Sequence, residues 1–201
     1  TLSGENKYTG DTSIDGGSLV VSGGLSDSTD VVVASSGSYE LGARDGVSSI
    51  SGSGEIKLGS YRLTAGNSSN QSYSGVISGT GEFAKSGTGS LTLSGANTYT
   101  GETSILGGSL IVSGSLSNSS DVEVDSGGSY ELGASDTVSS ISGSGAIKLG
   151  SYTLTAGNSN DQSYSGVMSG TLESAYVKEG EGTMEMSGAH DFDGNYYLNE
   201  G

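Results

Sequence analysis

The chain has 201 residues with 37 glycines and no proline, cysteine or tryptophan, and its 23 acidic against 7 basic residues leave a formal charge of -16. So acidic a surface repels phosphate backbones and anionic lipid, which argues against nucleic acid and ordinary membrane surfaces as partners. No apolar run approaches the roughly 18 residues that span a bilayer, and without cysteine there is no disulfide or thiolate metal site.

Leu, Ile, Val and Phe make up only about a fifth of the residues, which together with the charge is the composition of a disordered coil. Only the order of the residues can overrule it. In chain order, Leu19 and Val21 open an apolar stripe, and Val31 and Val33 follow in "DVVVAS". Tyr39 and Leu41 flank Glu40, and Ile56 and Leu58 alternate with Glu55 and Lys57. Leu63 comes next, and Leu91 and Leu93 surround Thr92. A period of two with charges on the alternate positions predicts short, half-buried β-strands. Gly, Ser, Asn and Asp separate them, and no capped amphipathic helix is predicted anywhere.

The phrase "KYTGDTSIDGGSLVVSG" returns as "TYTGETSILGGSLIVSG", and Tyr8, Leu41, Tyr61 and Gly75 recur as Tyr99, Leu132, Tyr152 and Gly166, each at an offset of 91. Roughly three quarters of the first eighty positions are identical at that offset. A third copy begins with "TMEMSGAHDFDG", where Gly101 meets Gly194 at an offset of 93. The copies test the strand reading: Val32 is matched by Glu123, so position 32 faces water while Val31 and Val33 face inward. In the same way Glu185 stands between Met184 and Met186 where Thr92 stood. Self-similarity of this kind marks a stacked architecture in which each unit buries its apolar edge on the next. The organisation read from it is one continuous solenoid, with units at 1–91 and 92–182 and a divergent third starting at 183–201. At 20 to 25 residues per coil it makes about nine coils, a rod on the order of 40 Å long.

Residues 89–114, "GSLTLSGANTYTGETSILGGSLIVSG", resemble the passenger-associated repeat of bacterial autotransporters, as do residues 2–23 and, more weakly, 182–201. The intervening "VSSISGSGEIKLGSYRLTAG" and "QSYSGVISGTGEFAKSGTG" resemble the coils that accompany that repeat. The resemblance implies a right-handed parallel β-helix on, or shed from, the surface of a Gram-negative bacterium, exported through a C-terminal outer-membrane barrel. Absence of cysteine suits that route. Neither a signal peptide nor a barrel is present, so these residues are expected to be a piece of a longer polypeptide. Phe192, Asp193 and Gly194 replace Tyr-Thr-Gly in the third copy, which reads as a divergent coil or a cap. Open strand edges at the ends of such a rod favour end-to-end stacking and filaments.

Candidate chemistry is sparse. His190, the one histidine, replaces Asn97 of the repeat and reads as a surface or turn residue. Paired acids could serve polysaccharide cleavage, which needs two carboxyls roughly 5 to 9.5 Å apart. However, Glu40, Asp30 and Asp45 recur as Glu131, Asp121 and Asp136, whereas an active site is a single place on a rod. Glu55, Asp15 and Asp27, matched by Ala146, Leu106 and Asn118, do not recur. These acids read as a solvated face. "DSTD" at 27–30 and "HDFDG" at 190–194 are at most weak calcium sites, since neither follows a β-roll or EF-hand pattern. Tyr39, Tyr61 and Tyr73, with Tyr130, Tyr152 and Tyr164, read as rings stacked along the rod. Gly16, Gly17, Gly107 and Gly108 read as turn glycines with φ values that side chains forbid.

The sequence thus predicts an all-β, parallel β-helical stalk or fibre segment supporting adhesion or self-association, with no catalytic residue, cofactor or metal. Its expected partners are further copies of itself, or host or matrix glycans and proteins. A carbohydrate-binding adhesin module is the alternative, and a polysaccharide-degrading β-helix enzyme a more distant one.

Overall fold

The computed structural model describes residues 1–199, so Glu200 and Gly201 of the third copy lie outside the described residues. All the strand pairing within it is parallel, wound into a β-helix of about nine turns with three faces. The first face is one ten-stranded sheet that runs from Thr12–Ile14 through Asp30–Val33, Ser49–Gly52, Gln71–Tyr73 and Ser90–Leu93. It continues through Gly108–Val112, Gly128–Leu132, Ala146–Lys148 and Val167–Gly170 to Asp191–Phe192. The second face has eight strands, beginning at Asp45–Val47, Leu63–Ala65, Phe83–Lys85 and Thr103–Ile105 and ending at Met184–Met186. The third face is two four-stranded sheets. One starts at Gly17–Val21 and ends at Val76–Ser78; the other starts at Asp136–Val138 and ends at Asn195–Leu198.

Period-two patterning does what it should. Val31 and Val33 are fully buried while Val32, paired with Ser13 and Ser51, lies on the outer face. Inside, like-placed residues stack from coil to coil. One inward row runs Leu19, Tyr39, Ile56, Ile77 on the third face. Its copy runs Leu110, Tyr130, Ile147, Met168 on the first face, with Leu91 above it. Leu19, in the first coil, is half-buried, whereas Leu110 is sealed beneath Leu91. At about 1.5 to 3 kcal/mol per buried aliphatic or aromatic side chain, such rows offset the entropy of a chain otherwise poor in hydrophobes.

That change of face between copies is systematic. Thr12–Ile14 lies on the first face and its copy Thr103–Ile105 on the second; Asp45–Val47 lies on the second and Asp136–Val138 on the third; Gly17–Val21 lies on the third and Gly108–Val112 on the first. The 91-residue repeat holds twelve strands, plus two strandless segments: 24–26, where Leu25 N joins Asp45 of the second face, and 96–100, which takes a place on the third face. Fourteen segments on three faces make four and two thirds coils. Each copy therefore falls one third of a revolution short of the last, and at about 4.8 Å per coil it lies roughly 22 Å further along.

The glycine expectation divides. Gly17 and Gly108 adopt left-handed φ values of 70° and 62°, but Gly16 and Gly107 do not have positive φ. A Cβ on Gly16 would meet nothing nearer than Ser36 Oγ at 3.5 Å. Gly17→Ala is expected to lose about 1 to 2 kcal/mol through backbone strain alone, since the space around it is open, while Gly16→Ala stays within about 0.5 kcal/mol. Thermal unfolding of the two variants checks the contrast.

Candidate functional site

The recurring acids form no cleft: each bonds to a neighbouring coil, Glu40, Glu131, Asp30 and Asp121 from the outer face. On the outer surface Lys57 Nζ donates to Glu40 Oε1 at 2.8 Å, with Ser18 Oγ as a further donor at 2.8 Å. The copy repeats it, with Lys148 and Ser109 on Glu131 Oε1 at 2.7 and 2.8 Å. The Lys57 hydrogen bond, then that from Ser18, holds the Glu40 carboxyl below its ordinary range. Partial desolvation works the other way at Glu131, but Lys148, Ser109 and Ser129 together still hold it low. Asp30 and Asp121 accept from Ser49 and Ser140 of the following coil at 2.7 and 2.6 Å.

Asp45 and Asp136 are buried, each 4% exposed, which corrects the solvated-face reading for this pair. Asp136 Oδ2 accepts from the Tyr130 hydroxyl at 2.6 Å, and its Oδ1 accepts from Leu116 N at 3.2 Å and Thr137 N at 3.0 Å. Asp45 repeats the pattern with the Tyr39 hydroxyl, Leu25 N at 2.8 Å and Gly46 N at 2.9 Å. A charge costs least to bury when donors surround it. Desolvation nevertheless moves the Asp136 carboxyl up, against the pull of Tyr130, Leu116 and Thr137. Both tyrosine hydroxyls are pushed well above their ordinary range, first by burial and then by the neighbouring aspartate.

These aspartates form half of a side-chain seam that crosses the strandless parts of the rod. Between the two sheets of the third face, Ile77 N donates to Asn97 Oδ1 at 3.1 Å. Asn97 Nδ2 donates to Ser115 O at 3.0 Å, and Leu116 N reaches Asp136. Side chains thus supply hydrogen bonds that a backbone ladder supplies elsewhere. In the first copy, Asn6 Nδ2 donates to Gly24 O at 2.9 Å and Leu25 N to Asp45. His190 stands at the third copy's equivalent of Asn97, where its Nδ1 accepts from Met168 N at 3.3 Å. It is half-buried and holds a ladder position, which corrects the plain surface-residue reading.

Tyrosine packing also differs from expectation. Tyr39 lies between Leu19 and Ile56, and Tyr73 between Gly52 and Leu93, so these rings stack on other rungs and not on one another. The Tyr73 and Tyr164 hydroxyls donate to Gly54 O and Gly145 O at 2.7 Å. Tyr61 and Tyr152 are exposed, at 40% and 37%. Lys85, which the sequence reading passed over, is 1% exposed, and its Nζ donates to the carbonyls of Ser86, Gly87 and Gly107, joining corners of successive coils. Burial lowers its pKa. Its one sequence signal is its return as Lys178 at an offset of 93. Among the described residues no three of His, Asp and Glu converge as metal ligands, in the 27–30 and 190–194 segments or elsewhere.

Residues 1–21 and 83–112 match the family described as the passenger-associated-transport-repeat. The chain is also similar to the Adhesin BmaC autotransporter of Brucella suis biovar 1 (strain 1330), with 33% identity over an alignment of 230 residues that takes in 100% of this chain. It spans 6% of the length of that relative. No solved structure matches.

Proposed function

Because the chain is a segment of a bacterial autotransporter passenger bearing passenger-associated transport repeats, we propose that its work is mechanical: a stalk that holds adhesive or self-associating surface away from a Gram-negative cell. The observation that carries this reading is the ten-stranded first face, one uninterrupted ladder along the described rod. Every added repeat lengthens it by about 22 Å without a new type of contact. The recurring carboxylates support a non-enzymatic role, since Glu40, Glu131, Asp45 and Asp136 are all engaged in joining coils. The turn between copies supports contact on all sides. The exposed rings Tyr61 and Tyr152 are related by that rotation, so a flat partner meets one or the other and a cluster of rods meets both.

Cells displaying the passenger that contains this segment provide the test. Removing residues 92–182 is expected to leave export and display unchanged, since the remaining units rejoin through equivalent contacts. Cell–cell settling or attachment to a glycan- or protein-coated surface is expected to fall. If settling and attachment both stay at the parental level when the whole segment is removed and display is intact, the reading is wrong.

A further inference from the structure

Two copies of the repeat place a side-chain acceptor at the same ladder position, and only the later one can take up a proton there. Asn97 Oδ1 receives Ile77 N–H; His190 Nδ1 receives the equivalent Met168 N–H. An amide oxygen accepts across the whole physiological pH range. An imidazole nitrogen accepts only while it has a free lone pair, and the imidazolium has none, because both of its nitrogens are donors. We propose that His190 is an acid-sensitive latch: neutral, it fastens the first-face segment of the C-terminal coil to the coil before it, and protonated, it lets that segment go.

The surroundings favour release. Accepting at Nδ1 assigns the ring proton to Nε2, which is buried without a partner among the described residues. The ring lies parallel to Tyr164, with centroids 6.3 Å apart at 21°, and the Tyr164 hydroxyl is occupied by Gly145 O and Val167 O. The Val167–Gly170 strand, on which the imidazole rests, carries no titratable side chain. Asp191 and Asp193 follow His190 on its own segment, and Glu185, exposed, is on the preceding strand. The rest of the first-face joint is slight, while on the third face Asn195–Leu198 remains paired with Ala175–Lys178 over four residues. Asp191–Phe192 is a two-residue strand paired through Ser169 and Gly170, and Asp193 N reaches Gly170 O at 3.4 Å. On protonation the incoming proton takes the Nδ1 lone pair, and Met168 N–H is left facing a cation.

Histidine as a side chain changes charge between about pH 5 and 8, so the experiment is amide hydrogen exchange of the 201-residue chain across that range, read by NMR and corrected for intrinsic exchange. Ile77 N–H is the internal control. From pH 8 to 5, protection of Met168 N–H is expected to fall about tenfold relative to Ile77 N–H, the scale of one lost hydrogen bond. His190→Asn should flatten the ratio, and imidazole nitrogen shifts at pH 8 should report the Nε2–H form. A ratio that is constant over the range, whether or not the ring titrates, overturns the latch. So does a pH-dependent ratio that survives His190→Asn, or an Nδ1–H tautomer at pH 8.

Discussion

Raised above about pH 10, the chain is expected to unfold cooperatively, with its buried tyrosines ionising only as the β-sheet signal disappears. Tyr39, Tyr73, Tyr99, Tyr130, Tyr164 and Tyr176 are each at most 2% exposed, and in every one burial is the first cause of a raised pKa. An unfolded tyrosine loses its proton near pH 10. Above that, the folded chain binds more protons than the unfolded one, so stability is fully present below about pH 10 and drains away as pH rises. Each such residue contributes a slope of about 1.4 kcal/mol per pH unit, and six together about 8 kcal/mol. Against a stability of about 5 to 15 kcal/mol, one to two pH units suffice. Phenolate absorbance near 295 nm and far-ultraviolet circular dichroism, followed together, check this. All 11 tyrosines titrating smoothly near pH 10 with the sheet signal intact would contradict the burial on which the prediction stands.

The strands and their inward faces were legible because alternation leaves a mark at each position and the copies supply a second reading of it. Val32 against Glu123 separates outside from inside with no structure in hand. The rotation between copies was hidden. Nothing in "GANTYTG" marks a strand, yet residues 96–100 take a place on the third face through Asn97 and residues 24–26 one on the second through Leu25, and leaving both out makes the repeat four whole coils. Asp45 and Asp136 were visible as recurring acids but read as exposed, because a charged side chain is rarely buried without partners, and one partner, the N–H of Leu25 or Leu116, lies a full coil away. The available signal was the constant six-residue step from Tyr39 to Asp45 and from Tyr130 to Asp136. His190 aligned openly with Asn97, but its role depends on which backbone N–H lies beneath it, and that is fixed by winding.

Asp136→Ala is expected to cost about 3 to 5 kcal/mol, the scale of breaking a buried charged network by removing one member. Three donors lose their acceptor: the Tyr130 hydroxyl, Leu116 N and Thr137 N. Each buried donor left unpaired costs about 1 to 3 kcal/mol, and water reaches this site poorly. Tyr130→Phe removes one donor and leaves the carboxylate on its two backbone partners, so about 1 to 2 kcal/mol is expected. Glu131→Ala removes an equally well-formed bond, to Lys148 at 2.7 Å, but a largely solvent-exposed one, and should cost less than about 1 kcal/mol. Urea unfolding of the three variants orders them; Asp136→Ala no worse than Glu131→Ala would mean the buried seam holds nothing. The damage should also be local, because in a rod each coil touches only its neighbours. Hydrogen exchange is expected to quicken first around Leu116 and Thr137, where the two sheets of the third face meet through Asn97 and Asp136 instead of a strand. A rod built this way gives at such joints before it gives along its ladders, and those joints recur once per repeat, on a different face each time.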